Sequence, residues 1–173
     1  GALIALPFVM LLWANTHPGF ILGWVIIIVM LAGAAYHQWS GINALERSAF
    51  RRLLVWCGIA LLASLANPLG HAFISNMSAL QSPFNSEIDE YLPLADYARM
   101  YQQPFLFYGV LVLALVSLAV LIRRRHHTDP AHAILFIGFA AAGFSAFRYM
   151  IFFVLMALMI VMPHVSALAE RHI

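Results

Sequence analysis

The sequence predicts an all-α integral membrane protein: a polytopic transmembrane helix bundle of about six hydrophobic segments with an outer interfacial loop or helix. Hydrophobic residues make up 64% of the 173-residue chain and charged residues only 9%, and the mean hydropathy is +0.89. Soluble domains carry about 25% charged residues, because the surface of a soluble fold stays largely polar. The composition therefore indicates lipid as the solvent of this chain.

Six apolar stretches stand out when the chain is divided at its polar and Pro/Gly clusters. They cover residues 2–14, 20–36, 53–66, 105–122, 133–146 and 150–162. A helix needs roughly 20 residues to cross a hydrocarbon core of about 30 Å, and only the second and fourth stretches approach that length. The others either borrow flanking residues or lie within a bundle away from lipid. We expect the stretches to be helices of one transmembrane domain that spans residues 1–173.

The arginines indicate how the chain is oriented. If the helices alternate in direction, one side of the membrane receives Arg47, Arg51, Arg52, Arg123, Arg124, Arg125 and Arg171. By the positive-inside rule this side is cytoplasmic. The outer side then receives Arg99 and Arg148, and with them Glu87, Asp89, Glu90 and Asp96. The segment 76–104 is accordingly predicted to be an extracytoplasmic loop, and the spacing of its apolar residues predicts an amphipathic helix on the outer interface.

Arg148, His17 and His71 form a predicted anion-binding site on the outer side. Arg148 stands between the fifth and sixth stretches, where an ionisable side chain is costly and often has a partner or a substrate. Its guanidinium could clamp a phosphate, and the histidines could donate to the same anion or relay a proton. The alternative is that Arg148 is an interfacial anchor or pairs with a loop carboxylate.

The remaining polar residues suggest few other ligands. Glu87, Asp89 and Glu90 could bind a divalent cation through their carboxylate oxygens, or they could be a solvated loop; no other metal site is predicted. Haem and chlorophyll are not favoured, since all eight histidines fall near the ends of apolar stretches. Nucleic acid is excluded as a partner because the chain carries so few charges. The run 123–127 is expected to be drawn to the headgroups of membrane lipids.

Three junctions resemble those of large polytopic bacterial proteins with the GT-C glycosyltransferase architecture. They are Leu-Trp-Ala-Asn-Thr-His-Pro-Gly-Phe at 12–20, Ser-Leu-Ala-Asn-Pro-Leu-Gly at 64–70, and Phe-Arg-Tyr at 147–149. The resemblance covers almost the whole chain. It implies a glycosyltransferase of the bacterial cytoplasmic (inner) membrane that uses a polyprenyl-phosphate-linked sugar at the outer membrane face.

The resemblance also implies an acidic catalytic residue in the first outer loop, and this chain shows no counterpart of it. We therefore expect a donor-binding or scaffold part of such an enzyme, with Glu87 and Asp89 as the candidates for the base that deprotonates the acceptor. The start at Gly1 without Met or a charged flank leads us to expect a piece of a longer protein.

Two other functions compete with this interpretation. One is a non-catalytic transmembrane subunit of a larger respiratory or photosynthetic complex, for which short helices rich in Phe, Trp and Met would suit contacts with protein or pigment. The other is a small transporter, in which broken helices carry polar groups near mid-membrane. Transport ranks last because Arg148 is the only residue that would supply such a polar group.

Overall fold

A computed structural model describes residues 2–17, 19–68, 88–123 and 129–169. Within these ranges the chain forms seven α-helices and three short 3-10 segments, with no β-strand, which confirms the predicted all-α class. The helices are α1 (Leu6–Thr16), α2 (Phe20–Ser40), α3 (Arg47–Ala63), α4 (Leu94–Met100), α5 (Pro104–Arg123), α6 (Pro130–Ser145) and α7 (Met150–Ala169). The 3-10 segments are Ala2–Ala5, Asp89–Tyr91 and Phe147–Tyr149.

Each of the six apolar stretches corresponds to one α-helix, and α4 lies in the predicted outer loop. Local signals mark several helix starts. Pro104 and Pro130 occupy the first positions of α5 and α6, where the missing N–H of proline costs no helical hydrogen bond. The Asp129 carboxylate caps α6 by accepting a hydrogen bond from the Ala131 N–H at 2.8 Å.

The chain divides into two compact units, Gly1–Ser82 and Pro83–Ile173. In the first unit α1 packs against α2 and α3. Its core is a cluster of buried side chains from these three helices: Met10, Phe20, Ile27, Cys57 and Ala60. One side-chain bond reinforces this packing, since the Asn15 amide donates to the Ala66 carbonyl at 2.9 Å. The end of α1 is thereby tied to the residues that follow α3.

In the second unit α7 packs against both α5 and α6. Aromatic rings fill the contact between α6 and α7, where Phe136 lies 5.7 Å from Phe153 between ring centroids. Gly143 lets the two helices approach closely, because an added Cβ there would meet the Met150 Cα at 3.3 Å. The helix α7 continues through Pro163 to Ala169, so His164 lies inside the helix and not beyond its end.

Among the described residues, α2 and α5 are the two helices long and apolar enough to cross a membrane, judged by length and composition. Few of their residues are buried, and Phe105, for example, is 82% exposed. The segments Ala2–Thr16, Pro130–Ser145 and Phe147–Pro163 are apolar but shorter. Six complete crossings and a single domain over residues 1–173 remain predictions.

Candidate functional site

Arg148 lies in the short 3-10 segment between α6 and α7. The helix α6 ends at Ser145, and Ala146 is extended, with φ −152° and ψ 127°. This change of backbone direction turns the chain before α7 begins at Met150. Arg148 is thereby placed at the junction of two apolar helices, where it is half-buried.

Arg148 contacts Tyr91, which is 57 positions earlier in the sequence. The Arg148 Nη1 group donates a hydrogen bond to the Tyr91 hydroxyl, and the guanidinium carbon lies 4.6 Å from the centroid of the same ring. A cation over an aromatic face is stabilised by about 0.5–2 kcal/mol, depending on its exposure to water. Together the two contacts fix the plane of the guanidinium.

The segment around Tyr91 is itself attached to the segment around Arg148. The Phe147 N–H donates to the Leu92 carbonyl at 3.0 Å. The Phe147 ring stacks on Tyr97, with 3.8 Å between centroids and 9° between planes. On the helix that carries Tyr97, Leu94 is fully buried. These contacts make α4 and the 3-10 segment 147–149 one packed surface, which we call the tyrosine–arginine surface (Asp89, Tyr91, Tyr97, Tyr101, Phe147 and Arg148).

Asp89 lies on the same surface through a contact with Tyr101. The Tyr101 hydroxyl donates a hydrogen bond to Asp89 Oδ2. This hydrogen bond is the main reason that the pKa of Tyr101 is raised from its ordinary value of 10.0, with smaller contributions from desolvation and from the charge of Asp89. Tyr101 also lies 4.6 Å from Tyr97 between ring centroids. A carboxylate, three tyrosines and a guanidinium thus share one surface.

Arg148 and Arg123 lie toward opposite ends of α5. Arg148 contacts residues that precede Pro104, the first residue of α5, whereas Arg123 is the last residue of that 20-residue helix. At 1.5 Å per residue the helix is about 30 Å long. The placement of the two arginines on different sides of a membrane remains a prediction.

His17, His71 and Glu87 are the remaining predicted site residues. His17 belongs to the first unit, where its Nδ1 accepts a hydrogen bond from the Gly19 N–H at 2.8 Å and the side chain is exposed just after α1. His71 and Glu87 lie outside the described residues. The convergence of His17, His71 and Arg148 therefore remains a prediction. Among the described side chains, no group of three His, Cys, Asp or Glu residues is arranged to hold a metal ion.

The tyrosines are the site residues that the sequence did not identify. In the sequence, Tyr91, Tyr97 and Tyr101 belong to the loosely helical pattern of segment 76–104 that predicts an amphipathic helix. Among the described residues of this segment the α-helix covers Leu94–Met100, and two of the three hydroxyls bind charged side chains. The residue type could have identified them, since the hydroxyl of a tyrosine at an interface usually forms a hydrogen bond.

Comparisons with protein-family models, with curated proteins and with solved structures find no match to this chain.

Proposed function

We propose that the chain is an integral membrane protein whose tyrosine–arginine surface binds the phosphate of a polyprenyl-phosphate-linked sugar. In this proposal it forms the donor-binding or scaffold part of a GT-C-like glycosyltransferase of the bacterial cytoplasmic membrane. The observation that supports it best is the fixed position of Arg148 on Tyr91, at the junction of two apolar helices. A lipid-linked donor would present its phosphate at such a junction, because its chain is apolar and its headgroup is charged.

The chemistry of the surface fits a sugar phosphate in three respects. A guanidinium of fixed plane can bind phosphate oxygens through parallel N–H groups. Aromatic faces carry negative charge density, and the C–H groups of a sugar ring can pack on them, as they could on the exposed Tyr101. Asp89 supplies a carboxylate beside these rings, and general-base catalysis on an acceptor hydroxyl requires such a group.

The test measures binding of a polyprenyl phosphate to the whole chain in lipid nanodiscs, with the uncharged polyprenol as the comparison ligand. We expect Arg148→Ala to weaken phosphate binding about 10- to 100-fold, since a hydrogen bond to a charged group contributes about 1.5–3 kcal/mol. Arg148→Lys keeps the charge but loses the fork geometry, so its affinity should be intermediate. Polyprenol should bind weakly to every variant.

Arg99→Ala is the matched control. Arg99 lies in the same unit, its side chain is 79% exposed, and it pairs with Asp96 at 3.3 Å. Its removal should leave polyprenyl phosphate binding unchanged. Equal binding by Arg148→Ala and the unmodified chain, at unchanged helix content by circular dichroism, would contradict the proposal, as would equally tight binding of polyprenol.

A second candidate function is a non-catalytic subunit of a larger membrane complex. It is supported by α1, which has 11 residues and is too short to cross a bilayer, yet exposes the large apolar side chains of Phe8 and Leu12. Either lipid or a neighbouring protein subunit could cover these side chains. Purification from native membranes in a mild detergent distinguishes the two functions: co-purifying polypeptides or a haem or chlorophyll absorption spectrum favour the subunit, and a co-purifying polyprenyl lipid favours the transferase.

A further inference from the structure

The end of α2 and the start of α3 carry a second surface, separate from the proposed sugar-phosphate site. Gly41 ends α2 in the left-handed region, at φ +71°, and its N–H donates to the His37 carbonyl at 3.0 Å. The loop that follows is folded back on the helix by two side chains. His37 Nδ1 lies 2.9 Å from the Ile42 carbonyl, and the Gln38 amide donates to the Leu45 carbonyl at 2.5 Å.

The large apolar side chains of this loop are exposed. Ile42 is 61% exposed and Leu45 is 43% exposed. In the last turns of α2, Trp39 is 86% exposed, and Tyr36 lies 6.4 Å from it between ring centroids. A tryptophan and a tyrosine at the end of an apolar helix are typical of the headgroup level of a membrane.

The arginines of α3 adjoin this apolar tip. Arg47, Arg51 and Arg52 are all exposed, and the four-residue spacing of Arg47 and Arg51 puts them on one face of the helix. Glu46 is the one acidic residue in the sequence from 41 to 52, and it accepts a hydrogen bond from the Ser48 hydroxyl at 2.8 Å. The charge next to the apolar tip is therefore positive.

We infer that this surface, formed by Tyr36, Trp39, Ile42, Leu45, Arg47, Arg51 and Arg52, binds the headgroup layer of anionic phospholipids. The indole and the aliphatic side chains would enter the acyl boundary, and the guanidiniums would bind lipid phosphates. Charge complementarity and continuity with the apolar helix α2 favour a lipid surface as the occupant. The inference rests on the proposed crossing of the membrane by α2 but not on polyprenyl phosphate binding in the second unit.

The test reconstitutes the whole chain in vesicles of phosphatidylcholine alone or of equal parts phosphatidylcholine and phosphatidylglycerol. One lipid at a time carries bromine atoms that quench tryptophan fluorescence. The chain contains four tryptophans, so the Trp39 signal is obtained as the difference between the unmodified chain and Trp39→Phe. We expect brominated phosphatidylglycerol to quench Trp39 more strongly than brominated phosphatidylcholine does at the same mole fraction.

Removal of the arginines should abolish this preference. Each Arg→Gln change at positions 47, 51 and 52 should lower the relative affinity for phosphatidylglycerol about fivefold, whereas Arg99→Gln should leave it unchanged. Added salt should weaken the preference in the unmodified chain as well, since it screens exposed charges. That measurement needs no altered arginine and so holds even if an arginine variant fails to fold.

Three outcomes would overturn the inference. They are equal quenching of Trp39 by the two lipids, a preference that survives the triple Arg→Gln change, and a Trp39 that neither lipid quenches, as a protein partner on this surface would produce. Polyprenyl phosphate binding depends on Arg148 in the other unit, so its loss in Arg148→Ala should leave the Trp39 result intact. The two proposals can therefore fail independently.

Discussion

Trp24 donates a hydrogen bond from its indole N–H to the hydroxyl of Ser64, with 2.7 Å between Nε1 and Oγ. The Ser64 hydroxyl in turn donates a hydrogen bond to the Leu61 carbonyl, also at 2.7 Å. Ser64 is fully buried, Trp24 lies in α2, and Ser64 follows directly after α3. The pair therefore joins these two helices by a specific bond within an otherwise apolar contact.

Loss of the Trp24–Ser64 bond should lower the stability of the first unit. We expect Ser64→Ala to reduce the free energy of unfolding by about 0.5–1.5 kcal/mol, in the range found for hydrogen bonds between membrane helices. Thermal unfolding in detergent, followed by tryptophan fluorescence, measures the effect.

Ser117 provides the control for this change. It is equally buried, but its hydroxyl donates to the Leu113 carbonyl of its own helix at 2.7 Å, so Ser117→Ala removes no bond to Trp24. Ser117→Ala should therefore lower the free energy of unfolding by less than Ser64→Ala does. A loss of stability in Ser117→Ala that equals or exceeds that of Ser64→Ala would contradict this interpretation.

The approach of α6 to α7 depends on the missing side chain of Gly143. A Cβ at this position would lie 3.3 Å from Met150 Cα and 3.3 Å from Phe153 Cβ, both of which belong to the packed start of α7. Overpacking of a well-packed contact costs about 1–3 kcal/mol, so Gly143→Ala should destabilise the second unit by that amount.

Gly138 lies in the same helix, and an added Cβ there meets nothing within 4 Å. Gly138→Ala should therefore be neutral or stabilising, because alanine favours the helix over glycine. Chemical denaturation of both variants in detergent, followed by circular dichroism, compares them. Equal stability of the two variants would show that the helices do not pack through Gly143.

The helices of this chain were predictable because hydrophobic runs and helix starts are local features. Pro104 and Pro130 mark two of those starts, one and three residues before the predicted ones. The predicted and the observed helix bounds differ most where polar residues continue a helix. The helix α3 begins at Arg47, six residues before Leu53, because arginine is a good helix former.

The candidate site was predictable in part. The position of Arg148 between two apolar stretches identified it as a residue in need of a partner, and the structure gives it one. The identity of that partner could not be inferred, since Tyr91 is 57 residues away and periodicity describes only neighbours along one element. The same holds for Phe147 and Tyr97, whose stacking depends on tertiary packing.

Gly41 should be required for the turn at the end of α2. Its φ is +71° and an added Cβ would meet nothing within 4 Å, so backbone strain is the only cost of a side chain. A non-glycine residue in the left-handed region costs about 1–2 kcal/mol, and Gly41→Ala should destabilise the first unit by about that much. Thermal unfolding in detergent checks this.

Gly58→Ala is the opposite control. Gly58 lies within α3 and an added Cβ there also meets nothing within 4 Å. Alanine at this position should stabilise the helix by about 0.5–1 kcal/mol. Changes of the same sign in Gly41→Ala and Gly58→Ala would contradict the assigned conformation of Gly41.

The hydrogen bond from Tyr101 to Asp89 makes the second unit sensitive to alkaline pH. The bond raises the pKa of Tyr101 above 10.0, so the folded protein holds this proton more tightly than the unfolded chain does. The stabilisation is fully present below pH 10, the ordinary pKa of tyrosine, and is lost as the pH rises through the raised pKa. Ultraviolet absorption of tyrosinate follows the titration, and Tyr101→Phe identifies the contribution of this residue among the six tyrosines.

Asp89→Asn should bring the pKa of Tyr101 back toward 10.0, because it removes the charged acceptor and the negative charge that opposes ionisation. Asp96→Asn is the matched control, since Asp96 pairs with Arg99 in an exposed ion pair that contributes little. The Tyr101 titration should be unchanged in that variant. If Asp89→Asn left the titration of Tyr101 where it is in the unmodified chain, Asp89 would not be the acceptor, and its place on the tyrosine–arginine surface beside Arg148 would lose its support.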